Sequence, residues 1–113
     1  MHKTIKILEQ SSIVDSIISV DSDAFGNYYR LKLEALLING WKLHVCEHAT
    51  PKFQRYAYHI SKGPKLIIRW DNAPHHLQVK TFPHHKHVKE EILESKEMSI
   101  EDVIIELEKM MPR

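Results

Sequence analysis

Apolar and polar residues alternate at every step through Tyr29, Arg30, Leu31, Lys32, Leu33, Glu34 and Ala35, the period-two signature of a strand with one face buried and the other in water. Asn39-Gly40 follows, a dipeptide suited to the positive φ of a tight hairpin turn, and the alternation resumes over residues 41–45. Upstream, residues 13–20 are rich in β-branched side chains and stop at Asp21-Ser22-Asp23 and Gly26, which predicts a first strand. Downstream, residues 53–60 and 66–70 flank Ser61-Lys62-Gly63-Pro64, a second hairpin connection. The simplest assembly is an antiparallel meander of about five strands.

From Asp71 to His87 the pattern dissolves. Pro74 and Pro83 each fix φ and remove a backbone donor, so a shaped loop with at most a short edge strand is expected there. Periodicity changes again at Ser99, which can cap a first helical turn, with Asp102 three residues on completing a capping-box pattern. Ile100, Val103, Ile104, Leu107 and Met111 then recur at helical spacing, opposite Glu101, Glu106, Glu108 and Lys109. Ile5, Ile7 and Leu8 fit a strand or a short helix equally well. These elements predict an α+β fold, an antiparallel sheet with a C-terminal helix packed on one face, in a single domain over residues 1–113.

Composition narrows the function classes. In 113 residues, 42% hydrophobic and 27% charged, there is room for one core but not for a separate cofactor domain. The longest apolar run, residues 35–38, is far short of a membrane span, and the first ten residues lack a continuous apolar stretch of signal-peptide type, so a cytoplasmic protein with no membrane partner is expected. The lone Cys46 can form neither an internal disulfide nor a cysteine zinc knuckle, and the three isolated glycines rule out a glycine-rich phosphate loop. Net charge is only +1, yet it is unevenly spread: residues 1–47 carry −1, residues 48–89 carry +7 with seven of the nine histidines, and residues 90–113 carry −5. Such a centre suits phosphate, which makes RNA the expected ligand and Arg55, Lys65 and Lys86 candidate contacts; a dipolar surface without a partner has the same charge signature.

Five histidines fall within thirteen positions: His75, His76, His84, His85 and His87. Imidazole can take and give protons near neutrality, so a cluster of them suits general acid-base catalysis. Cleavage of RNA needs no cofactor. One base draws the proton from a 2′-hydroxyl, that oxygen attacks its own phosphate, and an acid protonates the leaving oxygen. His75, His76 and His85 are the candidates for these roles, Arg69 for gripping the phosphate, and Asp71, the only acid between His48 and Lys89, for orienting an imidazole. Two other readings compete. His85 and His87, with His75 or His76, could hold a metal, although no metal or other cofactor is required by the leading reading; or the histidines could simply bond the loop's own backbone. Tyr28, Tyr29, Tyr56 and Tyr58 could offer stacking platforms to bases, but on strands they are more simply read as packing.

Four strings carry a resemblance: Tyr28-Tyr29-Arg30-Leu31-Lys32, Arg55-Tyr56-Ala57-Tyr58-His59, Arg69-Trp70-Asp71-Asn72-Ala73-Pro74-His75-His76 and Thr81-Phe82-Pro83-His84-His85-Lys86-His87. Together they resemble the TumE family of toxin components of toxin-antitoxin systems, from about Ile13 to the final helix. The resemblance implies a growth-inhibiting protein encoded beside a helix-turn-helix antitoxin that neutralises it; it assigns no catalytic residues. The leading expectation is therefore a toxin acting as a metal-independent ribonuclease, with RNA and a helix-turn-helix antitoxin as partners and a homodimer left open. A noncatalytic module that binds nucleic acid or the antitoxin, and a histidine metalloprotein, are the alternatives.

Overall fold

Alternation builds a sheet with two unlike faces. The computed structural model describes residues 2–111, and its element order is α1 (His2–Gln10), β1 (Val14–Phe25), β2 (Tyr28–Leu37), β3 (Lys42–Thr50), β4 (Phe53–Lys62), β5 (Lys65–Asp71), β6 (His85–Val88), β7 (Glu91–Glu94) and α2 (Ile100–Met110). All seven strands lie in one antiparallel sheet in chain order, β1 to β7. The α+β class stands; the strand count is seven rather than about five.

Two of the differences have clear causes. β1 runs on through Asp21-Ser22-Asp23, because these residues sit on an exposed edge and Arg30 across the pair bonds both acids, 3.1 Å to Asp21 and 2.9 Å to Asp23. β6 and β7 lie beyond the loop and pair with each other and with β5 over only a few residues. The cluster residues His85 and His87 therefore stand on a strand, not in a loop.

One face of the sheet is the core. Leu31, Leu33, Ala35 and Leu37 of β2, Leu43 and Val45 of β3, Tyr58 and Ile60 of β4, and Ile68 and Trp70 of β5 are buried, together with Leu8 of α1 and Ile100, Val103, Ile104 and Leu107 of α2. The α2 stripe is thus the one its spacing predicts. Its start is also as expected: the Ser99 side chain accepts from the Asp102 amide, and the Asp102 carboxylate accepts from the Ser99 amide. The α1 end is tied in by Glu47, whose carboxylate accepts hydroxyls from Thr4 at 2.8 Å and from Tyr29 and Tyr58 at 2.7 Å each. Burial and the Glu47 charge push both phenols up, so they remain protonated donors. Tyr56 similarly accepts the Met98 amide at 3.3 Å and meets His84 Nδ1 at 2.8 Å, joining β4 to the entry of α2 and to the loop. These tyrosines pack and brace. Among the described residues no helix lies on the opposite face of the sheet.

The packing gives a direct comparison on one helix. Leu107→Ala, at a fully buried position, should lower unfolding free energy by about 2–5 kcal/mol, whereas Ile105→Ala, half exposed, should change it by no more than about 0.5 kcal/mol; urea denaturation of the two variants measures both.

Candidate functional site on the open sheet face

Register lines up polar residues across the uncovered face. Glu34 pairs with His44, His44 with His59, His59 with Arg69, and Arg69 with His87, so five side chains from β2 to β6 form one row perpendicular to the strands. Side chains two residues apart share a face. The next row therefore holds Lys32, Cys46, Ala57, Asp71 and His85.

Asp71 is the centre of this face. It is 5% exposed, and its carboxylate is met by four groups: the Ala73 amide at 3.0 Å, Arg69 Nε at 2.9 Å, His85 Nε2 at 2.9 Å and His87 Nε2 at 3.4 Å. Burial alone would push the carboxyl up, but the Ala73 amide, Arg69 and His85 outweigh it and hold Asp71 below the ordinary carboxylate range. His85, only 2% exposed, is fixed at its other nitrogen by the Pro83 carbonyl, 2.9 Å from Nδ1. Residues 72–84 fold over this end of the sheet. Asn72 anchors the loop by accepting the Tyr56 amide at 2.9 Å and donating to the Gln54 carbonyl at 2.9 Å. His76 brings its ring edge-on to His85 and His87, 4.8 and 5.5 Å between centroids.

Beside Asp71, the Arg69 guanidinium reaches His59, with Nη1 3.3 Å from Nδ1, and His59 lies edge-on to His44 with ring centroids 5.7 Å apart. Burial first, then Arg69, His44 and His87, pulls His59 below the usual imidazole value, so it is neutral at pH 7. His87 is also pulled down, by burial first and then by His85, His76 and Arg69, against the opposing effect of Asp71. A shallow groove of about 350 Å³ runs along this row, lined in part by Lys32, His44, Cys46, His59 and Arg69.

The structure gathers Asp71, Arg69, His76 and His85 of the expected site residues. His75 is exposed and stands outside the ring cluster. Arg55 lines a neighbouring hollow with Arg69, Asp71 and Asn72. Lys65 begins β5, six residues from Asp71 and hence roughly 20 Å along the strand. Lys86 pairs with Trp70 and points to the other side of the sheet from Arg69 and His87. The basic middle segment is thus split between two faces and a distant turn. His44 and His59 were not among the candidates; alternation puts each on a polar face, but only the register between β3 and β4 brings them together.

Removing the Asp71 carboxylate leaves the His85 ring nitrogen and Arg69 without their acceptor. Asp71→Ala should cost about 3–5 kcal/mol in urea denaturation, while His75→Ala should stay within about 0.5 kcal/mol of the parent.

Among the described residues no helix is long and apolar enough to cross a membrane. Comparison with curated proteins and with solved structures returns no match. The family model described as Toxin TumE matches residues 4–111, and with nearly its whole length covered the chain belongs to the TumE family of toxins.

Proposed function

We propose that this toxin acts on RNA as a metal-independent ribonuclease, with the scissile phosphate held over His44, His59 and Arg69. The observation that carries the reading is the row itself: two imidazoles in edge contact, one held neutral, beside a guanidinium on an uncovered sheet face. As the Arg69 Nη groups turn from His59 to the phosphate, the Nδ1 lone pair that faced Nη1 is released to take the proton of a ribose 2′-hydroxyl, and that oxygen attacks the adjacent phosphorus. The bond from phosphorus to the 5′-oxygen breaks, and His44 returns a proton to that oxygen, leaving a 2′,3′-cyclic phosphate and a 5′-hydroxyl. Arg69, whose Nε is taken by Asp71, presents its Nη groups to the phosphate oxygens as charge develops on them. In this reading Asp71 and the buried His85 position Arg69 and do not touch substrate.

His59→Ala should lower cleavage by roughly 10²–10⁴-fold with the fold retained, whereas His75→Ala should leave the rate unchanged. The parent rate should rise with pH along an acid limb whose midpoint lies below 6.5, because the base must be neutral and its folded value is depressed. Gel analysis of a short RNA and identification of the cyclic phosphate check both; undiminished cleavage by His59→Ala overturns the assignment. RNA bound but never cut by the parent protein would leave a binding module instead.

Membership of a toxin family implies an antitoxin partner. The surface suited to a basic helix-turn-helix protein is the outer side of α2, where Glu101, Glu106 and Glu108 retain partial exposure and the ion pairs of Glu101 with Lys3 at 3.3 Å and of Glu106 with Lys109 at 3.5 Å are both to exposed lysines. Reversing the three charges to Lys should weaken the complex and flatten its salt dependence in titration calorimetry; an unchanged Kd would remove this surface.

A further inference from the structure

Three histidines that can ligate a metal converge where the 72–84 loop crosses the end of the sheet, with Asp71 against two of them. His76 comes from the loop, His85 and His87 from one face of β6, and Asp71 from β5. One ligand nitrogen from each of the three histidines lies within 4.8 Å of the others. The Asp71 oxygens lie 2.9 Å from His85 Nε2 and 3.4 Å from His87 Nε2.

Hydrogen-bond stereochemistry then sets a requirement. His85 Nδ1 faces the Pro83 carbonyl at 2.9 Å, and a carbonyl can only accept, so this nitrogen carries the hydrogen. In the neutral ring Nε2 therefore holds a lone pair, and it is aimed at a carboxylate oxygen that also has only lone pairs. A cation must lie between them, either a second proton on the ring or a metal ion. Three further features favour the metal. The His87 contact, to the other carboxylate oxygen, is 3.4 Å, longer than an ordinary N–H···O bond and close to the roughly 3.3–3.4 Å between ligands about 2.0–2.1 Å from a tetrahedral zinc ion, while the 2.9 Å from His85 is the spacing of a shared proton that a metal would displace. A proton shared by His85 and Asp71 also gives no reason for His76 and His87 to turn their rings toward the same spot. Lastly, the outer partners of a metal site are already in place: the Pro83 carbonyl fixes the His85 tautomer, and the Ala73 amide and Arg69 Nε orient Asp71.

We infer that His76, His85, His87 and Asp71 form a closed site of three nitrogens and one oxygen for a single divalent transition-metal ion of the zinc class, clasping the 72–84 loop onto β5 and β6. Imidazole ligands suit zinc and its neighbours, and a fully protein-ligated tetrahedral set is the structural rather than the catalytic type. The inference does not rest on the ribonuclease reading, since neither His44, His59 nor Arg69 is a ligand, and metal-independent chemistry on the row is compatible with a metal that holds the loop.

The test uses full-length protein carrying no histidine tag, stripped with chelator and equilibrated with micromolar zinc or cobalt(II). The parent and His75→Ala should each bind about one ion per chain, and the cobalt form should show the intense visible bands of a tetrahedral site. His76→Ala, which alters the ligand that the loop supplies, should bind at least as much more weakly as the roughly 10–100-fold typical of losing an outer-shell partner. Chelation of the parent should open residues 72–84 to proteolysis. Absence of metal uptake by the folded parent, an octahedral cobalt spectrum, or equal affinity in His76→Ala would overturn the site. If His76→Ala does not fold, His76→Gln and the parent cobalt spectrum decide it. RNA cleavage is read separately, so either idea can fail alone.

Discussion

One buried carboxylate sets the arrangement of the whole C-terminal half of the sheet. Asp71 is the last residue of β5, and from there its oxygens take the first turn of the loop through the Ala73 amide, a neighbouring side chain through Arg69, and the opposing strand through His85 and His87. β6 pairs with β5 over only three positions, too few for backbone bonds alone to hold a four-residue strand in place. The charge-assisted contacts around Asp71 supply what the short ladder lacks. Because burying a carboxylate is costly unless it is fully bonded, the same group that anchors the loop also demands that the loop close over it.

The division of labour between the two sheet faces follows from strand parity. Even where the strands are strictly amphipathic, as in Leu31 to Leu37, every inward side chain obliges an outward one, and the outward set is Lys32, Glu34 and, across the register, His44 and His59. Helix α2 covers the apolar side. The polar side is left open, with Arg69 close enough to His59 to help hold that imidazole below its ordinary value. The polar row and the core are thus separated by the thickness of a single sheet.

How much of this could be read from the chain depends on how local each signal is. Alternation over residues 29–35 and the Ser99–Asp102 box are determined by neighbours in sequence and are found in the fold as read; the hairpin at Asn39-Gly40 is also there, but as a four-residue connection in which only Gly40 takes a positive φ. β6 was hidden because His85-Lys86-His87-Val88 offers hardly any apolar alternation to mark it; its partner β5 and the Asp71 contacts make it a strand. β1 extends past an Asp-Ser-Asp sequence that normally breaks a strand, because the bonds to Arg30 come from the next strand. In the candidate site, the clustered histidines and Asp71 drew attention by spacing alone. His44 and His59 did not, since fifteen residues separate them and the register that joins them is a property of two strands together.

The strictly sequential strand order has a consequence for a protein that emerges from the ribosome one residue at a time. Each strand pairs with the one made just before it, so the sheet can grow hairpin by hairpin, with few contacts waiting on distant sequence. The groups around Asp71, however, come from β5, the loop and β6, and they are complete only when His87 has been synthesised. The helix that covers the core face comes later still. A chain interrupted anywhere before β6 can hold a partial sheet and yet lacks His85 and His87, so the order of the strands delays assembly of this end of the molecule until nearly the last quarter of translation.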